Sequence, residues 1–403
     1  MIRDFTTQLA PLVARIRETF PWYDHLVREC GYDLDGDPER LPYIDEAILT
    51  QHYYTAEHNG LAGAHTYFTS GTSNGARKKI LYSDEDHGAY VQHRQKIFSR
   101  FLSGSCKTAC ADLGTGHAAA SAKEVFDGLG LESLHIDCRK PVQEHLAILN
   151  SYQPDVIFTM PMILDSIIHT NEANFRLRKV IVVGDVATRS WKDHIVNFFS
   201  LQRRDLLDVV GSIEIGSIAY ECFDCDSYHF DEHIIPEAVT PSRWFAGVDY
   251  PDDIKILVLT STSRRLFPAI RFVTNDLIQG FTQRMCGGKT CFTFDHMIGR
   301  LGNELKAGEK ISLYDVSEAV NRFLPGSRFD VYKDSARLVI RVCSNNFTAD
   351  AAEKIRTCVK DLNPSVDQMI KSSLVQDIEV CSITSDQLTQ HSLKKSFLNL
   401  NNR

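Results

Sequence analysis

The sequence lacks both an excess of basic residues and any long apolar run. Its 44 lysine and arginine residues are outnumbered by 52 acidic residues, and the formal net charge is −8. Nucleic-acid-binding proteins need a basic surface to displace phosphate counterions, so this balance argues against that class. No stretch approaches the roughly 18 to 20 apolar residues of a membrane-spanning helix. Residues 1–20 carry scattered charges and do not resemble a signal peptide, so we expect a cytoplasmic protein without nucleic-acid or membrane partners.

A regular framework of cysteines is also missing. The eleven cysteines are odd in number and irregularly spaced, which favours free thiols or metal ligands over disulfides. There is no internal repeat, no low-complexity segment and no Walker A loop, because the order Gly-x4-Gly-Lys-Ser/Thr is absent. What remains is an ordinary globular composition, with 43% hydrophobic and 24% charged residues. A chain of 403 residues is long enough for two or three domains.

Strand-like and helix-like segments alternate through the middle of the chain. Four β-branched runs predict strands, at 155–160, 179–185, 205–212 and 254–262. Amphipathic segments lie between them, such as the helix predicted from about Ser190 to Phe199. This alternation predicts an α/β fold with a largely parallel sheet that is covered by helices on both faces.

The two ends of the chain show other patterns. Residues 1–58 have helical periodicity that is broken at Pro21 and Pro42. The last hundred residues predict a small α+β domain with a hairpin, a long helix and a final strand, at 328–334 with 336–344, 348–370 and 376–383. We therefore predict a large α/β domain over 1–301 and a small mobile lid domain over 302–403. The boundary is placed where two backbone-permissive residues, Gly302 and Asn303, meet.

The first chemical signal is the segment HTYFTSGTSNGARKKILYS (65–83). It predicts a strand that ends in a loop of serine, threonine and glycine, followed by three consecutive cations. Such a loop offers backbone N–H groups and hydroxyls to phosphate oxygens, and Lys78 or Lys79 adds positive charge. A polar surface turn with flanking lysines is the alternative interpretation.

Five segments in order resemble those of the adenylate-forming superfamily, most closely its phenylacetate–CoA ligase-like branch. The resemblance covers about residues 60–400. It implies an ATP-dependent enzyme that converts a carboxylic acid into an acyl-adenylate with release of pyrophosphate. The implied phosphate-loop residues are Thr69, Ser70, Gly71, Thr72, Ser73, Gly75 and Lys78.

The other four segments supply the rest of the implied ATP site. Gly211, Ser212 and Ile213 are implied to contact adenine, and Glu214 to hold Mg²⁺. Asp276, in the Arg-x4-Asp segment that begins at Arg271, is implied to bind the ribose hydroxyls. Arg300 is implied to contact ATP. Lys394 is implied to be the mobile catalytic lysine of the lid, with the adjacent Lys395 as the alternative. Thr72 and Glu214 are implied to share the catalytic role.

Three positions depart from the pattern of the family. The phosphate loop is longer by Asn74 and has Arg77 in place of proline, which is more typical of plant acyl-amido synthetases. Asn275 replaces the glycine of Thr-Gly-Asp. Gly302 and Asn303 stand where the hinge acids are expected, which bears on the domain-rotation mechanism.

Cysteine and histidine residues in two separate segments predict a structural zinc site. Cys222, Cys225 and His229 lie in the first segment, and Cys286 and Cys291 in the second. Tetrahedral zinc is commonly held by two such ligand pairs, and relatives in this branch place cysteine and histidine similarly. The predicted ligands are Cys222, His229, Cys286 and Cys291. A set of buried or idle thiols is the alternative.

His117 lies at a predicted transition from a loop to a helix. That helix could line an acyl pocket, although a helix-capping or core histidine is an equal alternative.

We expect an aryl or acyl acid as substrate, since no residue is reserved for an α-ammonium group. The expected acceptor is CoA or a carrier-protein thiol supplied by another chain, with an amine as an open alternative. Two other functions stay open at this point: a nucleotidyltransferase that places AMP on a cofactor hydroxyl, and a non-catalytic homologue that binds nucleotide or zinc. A homodimer is also possible.

Overall fold

A computed structural model describes residues 5–33, 36–56, 64–68, 78–102, 104–114, 116–244, 250–301, 305–307, 309–334, 337–373, 375–388 and 397–398. Within these residues the helices are α1 Thr6–Thr19, α2 Pro21–Glu29, α3 Glu46–Leu49, α4 Asp84–Phe101, α5 His117–Asp127, α6 Val142–Tyr152, α7 Pro161–Ile168, α8 Arg189–Phe198, α9 Leu313–Phe323, α10 Ala349–Leu362 and α11 Pro364–Lys371. None of these helices is both long and apolar enough to cross a membrane.

The strands of the N-terminal and central parts are β1 His65–Phe68, β2 Lys79–Tyr82, β3 Thr108–Leu113, β4 Glu132–Asp137, β5 Val156–Thr159, β6 Lys179–Val183, β7 Leu206–Ser212, β8 Gly216–Cys222, β9 Ser227–Phe230, β10 Ile234–Val239, β11 Ile254–Ser261, β12 Phe272–Gln279, β13 Thr282–Cys286, β14 Lys289–Phe294 and β15 His296–Arg300. Those of the C-terminal part are β16 Leu305–Ala307, β17 Glu309–Ile311, β18 Arg328–Asp334, β19 Arg337–Cys343, β20 Glu379–Ser382 and β21 Phe397–Leu398.

The chain forms two compact units, each built from several segments. Unit 1 comprises Met1–Ser105, Gly114–Ser133 and Val209–His296, and unit 2 comprises Cys106–Leu113, Leu134–Asp208 and Met297–Arg403.

Unit 1 contains antiparallel strands and the helices that cover them. The strands β10, β11 and β12 pair antiparallel in that order, and β7, β8, β9, β14 and β13 form an antiparallel run. Helix α4 begins with a capping box, in which Ser83 and Asp86 each accept a hydrogen bond from the other's backbone N–H. This reciprocal capping satisfies two N–H groups that a helix start otherwise leaves unpaired.

Unit 2 contains the parallel strands. β3 pairs with β5 and β5 with β6, all parallel, and their residues are mostly apolar and almost entirely buried. Strands buried on both faces lose the alternation of polar and apolar residues, which explains the continuous runs in the sequence.

The C-terminal segment of unit 2 has a core of its own. β18 and β19 form the predicted hairpin, β20 and β21 add to it in parallel, and α9 and α10 pack beside it. Its buried side chains include Val320, Val331, Ile340 and Ile355. A separate core of this kind is a property of a small domain.

The predicted α/β class is confirmed, and two details of the prediction are wrong. The strand pairing is not largely parallel: β3, β5 and β6 pair in parallel, but β7, β8 and β9 pair antiparallel, because the chain from β7 onward returns through tight turns instead of helical crossovers. The single helix predicted over 348–370 is two helices, which meet at Asn363. Pro364 disfavours the helical conformation of the residue before it, so one helix ends and the next begins there. The predicted domain boundary at 301/302 stays a prediction.

Candidate active site

Several of the predicted ATP-binding residues lie outside the described residues. These are Thr69, Ser70, Gly71, Thr72, Ser73, Gly75, Lys394 and Lys395, together with Gly302 and Asn303. The strands on either side of the predicted phosphate loop are described, and β1 pairs antiparallel with β2, with Phe68 opposite Lys79. Lys78 follows the loop. Its ammonium group lies 2.8 Å from a carboxylate oxygen of Glu46.

The predicted adenine and magnesium segment forms the turn between β7 and β8. Gly211 and Ser212 end β7, and Ile213 and Glu214 lie in the turn before Gly216. A Cβ atom on Gly211 would lie 2.7 Å from the carbonyl oxygen of Gly216, which no backbone can accommodate. Only glycine therefore fits at this position.

The buried Glu214 is a suitable ligand for a hard cation. Its side chain is largely buried, and no hydrogen bond or ion pair joins its carboxylate to the described residues. Mg²⁺ prefers oxygen ligands and is usually held by one or two carboxylates with substrate phosphates. The donor chemistry of this residue fits that role.

Arg264 anchors the turn that carries Glu214, and the sequence analysis did not identify it. Its guanidinium donates to the backbone carbonyls of Glu214 at 2.8 Å and of Leu81 at 2.9 Å. It also lies 2.8 Å from the Asp86 carboxylate and 3.8 Å from the centre of the Tyr82 ring. Buried charges persist only when they are paired and hydrogen-bonded, and this arginine is both. The local pattern Ser83–Asp86 is typical of a helix start, but it does not indicate that Asp86 also pairs with a buried arginine.

Asp276 lies in a β-bulge. The register of β11 and β12 shifts between Ile256, opposite Leu277, and Val258, opposite Val273. Three residues of β12 therefore face one residue of β11, and Asp276 is among them. Asn275 adopts a φ of 62°, in the left-handed region that glycine and asparagine tolerate best. This explains why asparagine can replace the glycine of the family pattern.

We expect Asn275→Val to destabilise the bulge, because a β-branched side chain in the left-handed region costs about 1–2 kcal/mol. Asn275→Gly is the matched control and should retain wild-type stability. The check is the free energy of unfolding in denaturant, measured with the KM for ATP. Equal stability of the two variants would contradict the assigned conformation.

Arg271 and Arg300, at the ends of their strands, have different surroundings. The guanidinium of Arg271 forms a bidentate ion pair with Glu237, at 3.0 and 2.9 Å, and donates to the carbonyls of Glu39 and Leu41. Arg271 is thus a structural residue that ties β12 to β10. Arg300 ends β15 and is exposed.

Three of the four predicted ligands, Cys222, His229 and Cys286, lie close together, and Cys225 takes the place of the fourth. The ligand atoms of Cys222, Cys225, His229 and Cys286 all lie within 4.8 Å of one another. The Cys222 and Cys286 sulfurs are 3.7 Å apart, and the Cys225 sulfur is 3.0 Å from Nε2 of His229. Cys291, which was predicted as a ligand, lies 3.7 Å from Nδ1 of His229 but outside this group. Three thiols and an imidazole are a donor set that suits tetrahedral zinc.

A tight hairpin brings Cys286 to this group. Gly287 and Gly288 have φ values of 59° and 77°, and they connect β13 to β14 through a two-residue turn. Two consecutive positive φ values define the type I′ turn, whose twist matches that of the flanking strands. The pairing of β14 with β9 then places the hairpin beside His229.

His117 is a buried residue at the start of α5. It is 3% exposed, and its ring stacks on Tyr82 with 4.0 Å between ring centres. Burial lowers its pKa to about 2, and the neighbouring His87, Arg264 and Arg94 add to the shift. The ring is therefore neutral at any physiological pH.

The start of α5 adjoins the turn that contains Ile213. A Cβ atom on Gly116 would lie 3.7 Å from Cδ1 of Ile213, and the Tyr82 hydroxyl donates to the Ile213 carbonyl at 2.8 Å. His117 thus lies beside the segment predicted to bind ATP. The sequence predicted either a pocket residue or a core residue at His117, and the structure shows which side chains surround it.

Comparison with known proteins identifies similar sequences and a similar fold. This chain is 43% identical over 385 residues to fumarate–(S)-2,3-diaminopropanoate ligase of Enterobacter agglomerans, covering 96% of this chain and 97% of that protein. It is 25% identical over 333 residues to phenylacetate–coenzyme A ligase of Thermus thermophilus, covering 74% of this chain and 70% of that protein.

Residues 306–386 match the family described as the fumarate–diaminopropanoate ligase C-terminal domain. Among solved structures, 2-hydroxyisobutyryl-CoA ligase in the postadenylation state is similar, with a TM-score of 0.75 and 17% identity over 98% of this chain and 88% of that chain.

Proposed function

Because this chain belongs to the adenylate-forming superfamily, in its phenylacetate–CoA ligase-like branch, we propose that it joins a small carboxylic acid to an amine through an acyl-adenylate. ATP is the co-substrate. The proposed acid is a short dicarboxylic acid of the fumarate type, and the proposed acceptor is the amino group of a small diamino acid.

The observation that carries this proposal is the 43% identity, over nearly the whole of both chains, to a ligase whose name includes both substrates. The extended phosphate loop, with Asn74 and Arg77, supports an amide product as well, since acyl-amido synthetases have loops of this length. The thiol acceptor expected from the sequence becomes the second candidate, and it is favoured by the weaker likeness to a coenzyme A ligase.

Two bond exchanges make up the proposed reaction. A carboxylate oxygen attacks the α-phosphorus of ATP and pyrophosphate leaves, which gives a mixed anhydride with AMP. The amine nitrogen then attacks the acyl carbon, AMP departs with the bonding electrons, and the nitrogen releases one proton to solvent to give the neutral amide. Adenylation needs mainly positioning and the stabilisation of charge on phosphate oxygens.

We assign the proposed roles as follows. Thr69, Ser70, Gly71, Thr72, Ser73, Gly75 and Lys78 would bind phosphates; Gly211, Ser212 and Ile213 would bind adenine; Asp276 would bind ribose; Arg300 would contact ATP; and Lys394 would stabilise the adenylation transition state. Glu214 would hold Mg²⁺, which neutralises phosphate charge when bound. Lys78 already forms an ion pair with Glu46, so a phosphate group would have to compete with Glu46 for this lysine.

The test of the proposal is a screen for pyrophosphate release with dicarboxylic, aryl, fatty and amino acids, followed by mass spectrometry of the products with a diamino acid or with CoA. We expect release with a short dicarboxylic acid and an amide product with the diamino acid. A thioester with CoA and no amide would favour the second candidate. ATP binding without pyrophosphate release from any acid would contradict both.

Glu214→Gln and Asp276→Ala should damage ATP use differently. Loss of the Glu214 charge should lower kcat, because metal-held charge stabilises the transition state most. Loss of a ribose contact at Asp276 should raise the KM for ATP by roughly 10-fold to 100-fold with little change in kcat, since a hydrogen bond to a charged group contributes about 1.5–3 kcal/mol. Steady-state kinetics distinguish the two patterns, and wild-type values for both variants would refute these assignments.

A further inference from the structure

A chain of three hydrogen-bonding side chains leads from the protein surface to the buried ring of His117. Oε2 of Glu124 lies 2.7 Å from Nε2 of His87, and Nδ1 of His87 lies 3.1 Å from Nε2 of His117. The side chains of Glu124 and His87 are 59% and 21% exposed, and His117 is 3% exposed. Glu124 and His117 lie seven residues apart on α5, on the same face of the helix, and His87 on α4 bridges them.

When both histidines are neutral, an ionised Glu124 sets the tautomers of this chain. An ionised glutamate only accepts hydrogen bonds, so Nε2 of a neutral His87 must carry the proton and Nδ1 must be the acceptor. Nε2 of His117 must then donate to His87, which leaves Nδ1 of His117 without a proton. The exposed carboxylate of Glu124 thus acts through His87 and makes Nδ1 of the buried His117 a hydrogen-bond acceptor.

This acceptor is buried, and among the described residues it has no hydrogen-bond partner. Two neighbours of His117, Gly116 beside it in sequence and Tyr82 stacked on its ring, contact the turn of Ile213. Three aromatic rings surround the imidazole, those of Tyr67, Tyr82 and Tyr90. A buried polar atom without a partner is costly, so such an atom next to a substrate site indicates a ligand group that completes it.

We propose that Nδ1 of His117 accepts a hydrogen bond from the amino group of the amine substrate, and that His87 and Glu124 act through His117 as positioning residues. A carboxylate or phosphate oxygen cannot take this place, because it has no proton to donate. The inference rests on the proposed function, which supplies the amine.

The electrostatic surroundings of His117 agree with an acceptor role. Burial and the nearby His87, Arg264, Arg94 and His65 all disfavour the imidazolium form, and they lower its pKa far below neutrality. His117 therefore cannot become a donor by protonation at physiological pH. An acceptor held in this way orients an amine, whose lone pair stays directed at the acyl carbon.

Glu124→Lys tests the inference because it reverses the polarity of the chain. An ammonium only donates, so Nε2 of His87 would become the acceptor, Nδ1 of His87 the donor, and Nδ1 of His117 would acquire a proton. Two donors would then face each other at the amine site. We expect the KM for the amine to rise roughly tenfold or more, while the rate of adenylate formation stays near the wild-type value.

Asp127→Lys is the matched control, since it makes the same charge change on the same helix at an exposed position. Glu124→Gln should have an intermediate effect, because an amide group can either donate or accept. NMR of the isotope-labelled imidazole nitrogens gives the second readout. Nδ1 of His117 should be unprotonated in the wild-type protein and protonated in Glu124→Lys, a change that a merely structural defect would not produce.

The outcomes separate this inference from the proposed function. If the wild-type protein makes an amide and Glu124→Lys has the same amine KM as Asp127→Lys, the inference is wrong and the function stands. A protonated Nδ1 in the wild-type protein would also overturn it. If the wild-type protein forms an adenylate but no amide with any amine, the proposed function is wrong. The amine is then also excluded as the ligand of His117.

Discussion

Protein purified without chelators should contain about one zinc ion per chain, bound by Cys222, Cys225, His229 and Cys286. In a tetrahedral site with bonds of about 2.3 Å, ligand sulfurs lie about 3.8 Å apart. The Cys222 and Cys286 sulfurs, at 3.7 Å, already have this spacing. The ion would tie the β13–β14 hairpin to the segment between β8 and β9.

Replacing a single ligand separates this site from the one predicted by the sequence. Cys225→Ala should lose zinc and unfold at a lower temperature, because zinc binding is coupled to folding and contributes free energy on the order of 10 kcal/mol in small zinc domains. Cys291→Ala should keep its zinc. Metal analysis and the Tm measure both effects, and the exposed Cys30→Ala is a neutral control.

The opposite pattern, with zinc lost in Cys291→Ala and kept in Cys225→Ala, would restore the ligand set predicted from the sequence. A zinc content well below one ion per chain in the wild-type protein would refute both ligand sets. The cysteines would then be a cluster of thiols.

Lys394→Ala should slow adenylate formation by about 10²- to 10³-fold, the effect typical of one well-placed electrostatic donor. The ammonium stabilises charge that develops on phosphate oxygens only in the first half-reaction. Transfer of the acyl group from chemically supplied acyl-adenylate should therefore continue in the variant. Pyrophosphate exchange and single-turnover acyl transfer measure the two steps separately.

Lys395→Ala is the matched control. If it shows this pattern in place of Lys394→Ala, the catalytic lysine is the next residue and the mechanism survives. If neither lysine affects adenylation while ATP is still consumed, the lid does not supply the catalytic cation. Gly302 and Asn303, in place of the hinge acids, would then mark a changed mechanism.

Local patterns were sufficient to predict most of the elements near the candidate site. The strand predicted at 205–212 is β7, the helix predicted from Ser190 is α8, and the C-terminal hairpin is β18 with β19. The apolar residues of these segments recur with a strong periodicity, which can be recognised from neighbours close in sequence. The break at Pro364 was missed, although its signal is local, because proline restricts the residue before it whatever the tertiary structure.

The site residues that the sequence analysis missed act only through distant partners. Arg264 is separated by 50 residues from Glu214 and by 183 from Leu81, whose carbonyls it binds. Arg264 lies in no local motif, and the motifs that contain its partners Glu214 and Asp86 do not indicate that an arginine joins them. A buried ion pair is recognisable only when the fold shows which charges are removed from water together.

The sequence by itself determined the α/β class, the order of the segments that resemble an adenylate-forming enzyme, and the two cysteine-containing segments. The fold class depends on periodicity, the second result on the resemblance of short motifs to those of a known family, and the third on the identity of a few residues. Only the tertiary structure decided that Cys225 rather than Cys291 lies in one group with Cys222, His229 and Cys286, and that His87 lies within hydrogen-bonding distance of both Glu124 and His117. Both results depend on which atoms lie within a few ångströms of each other, and strand register and helix packing determine that distance across many intervening residues.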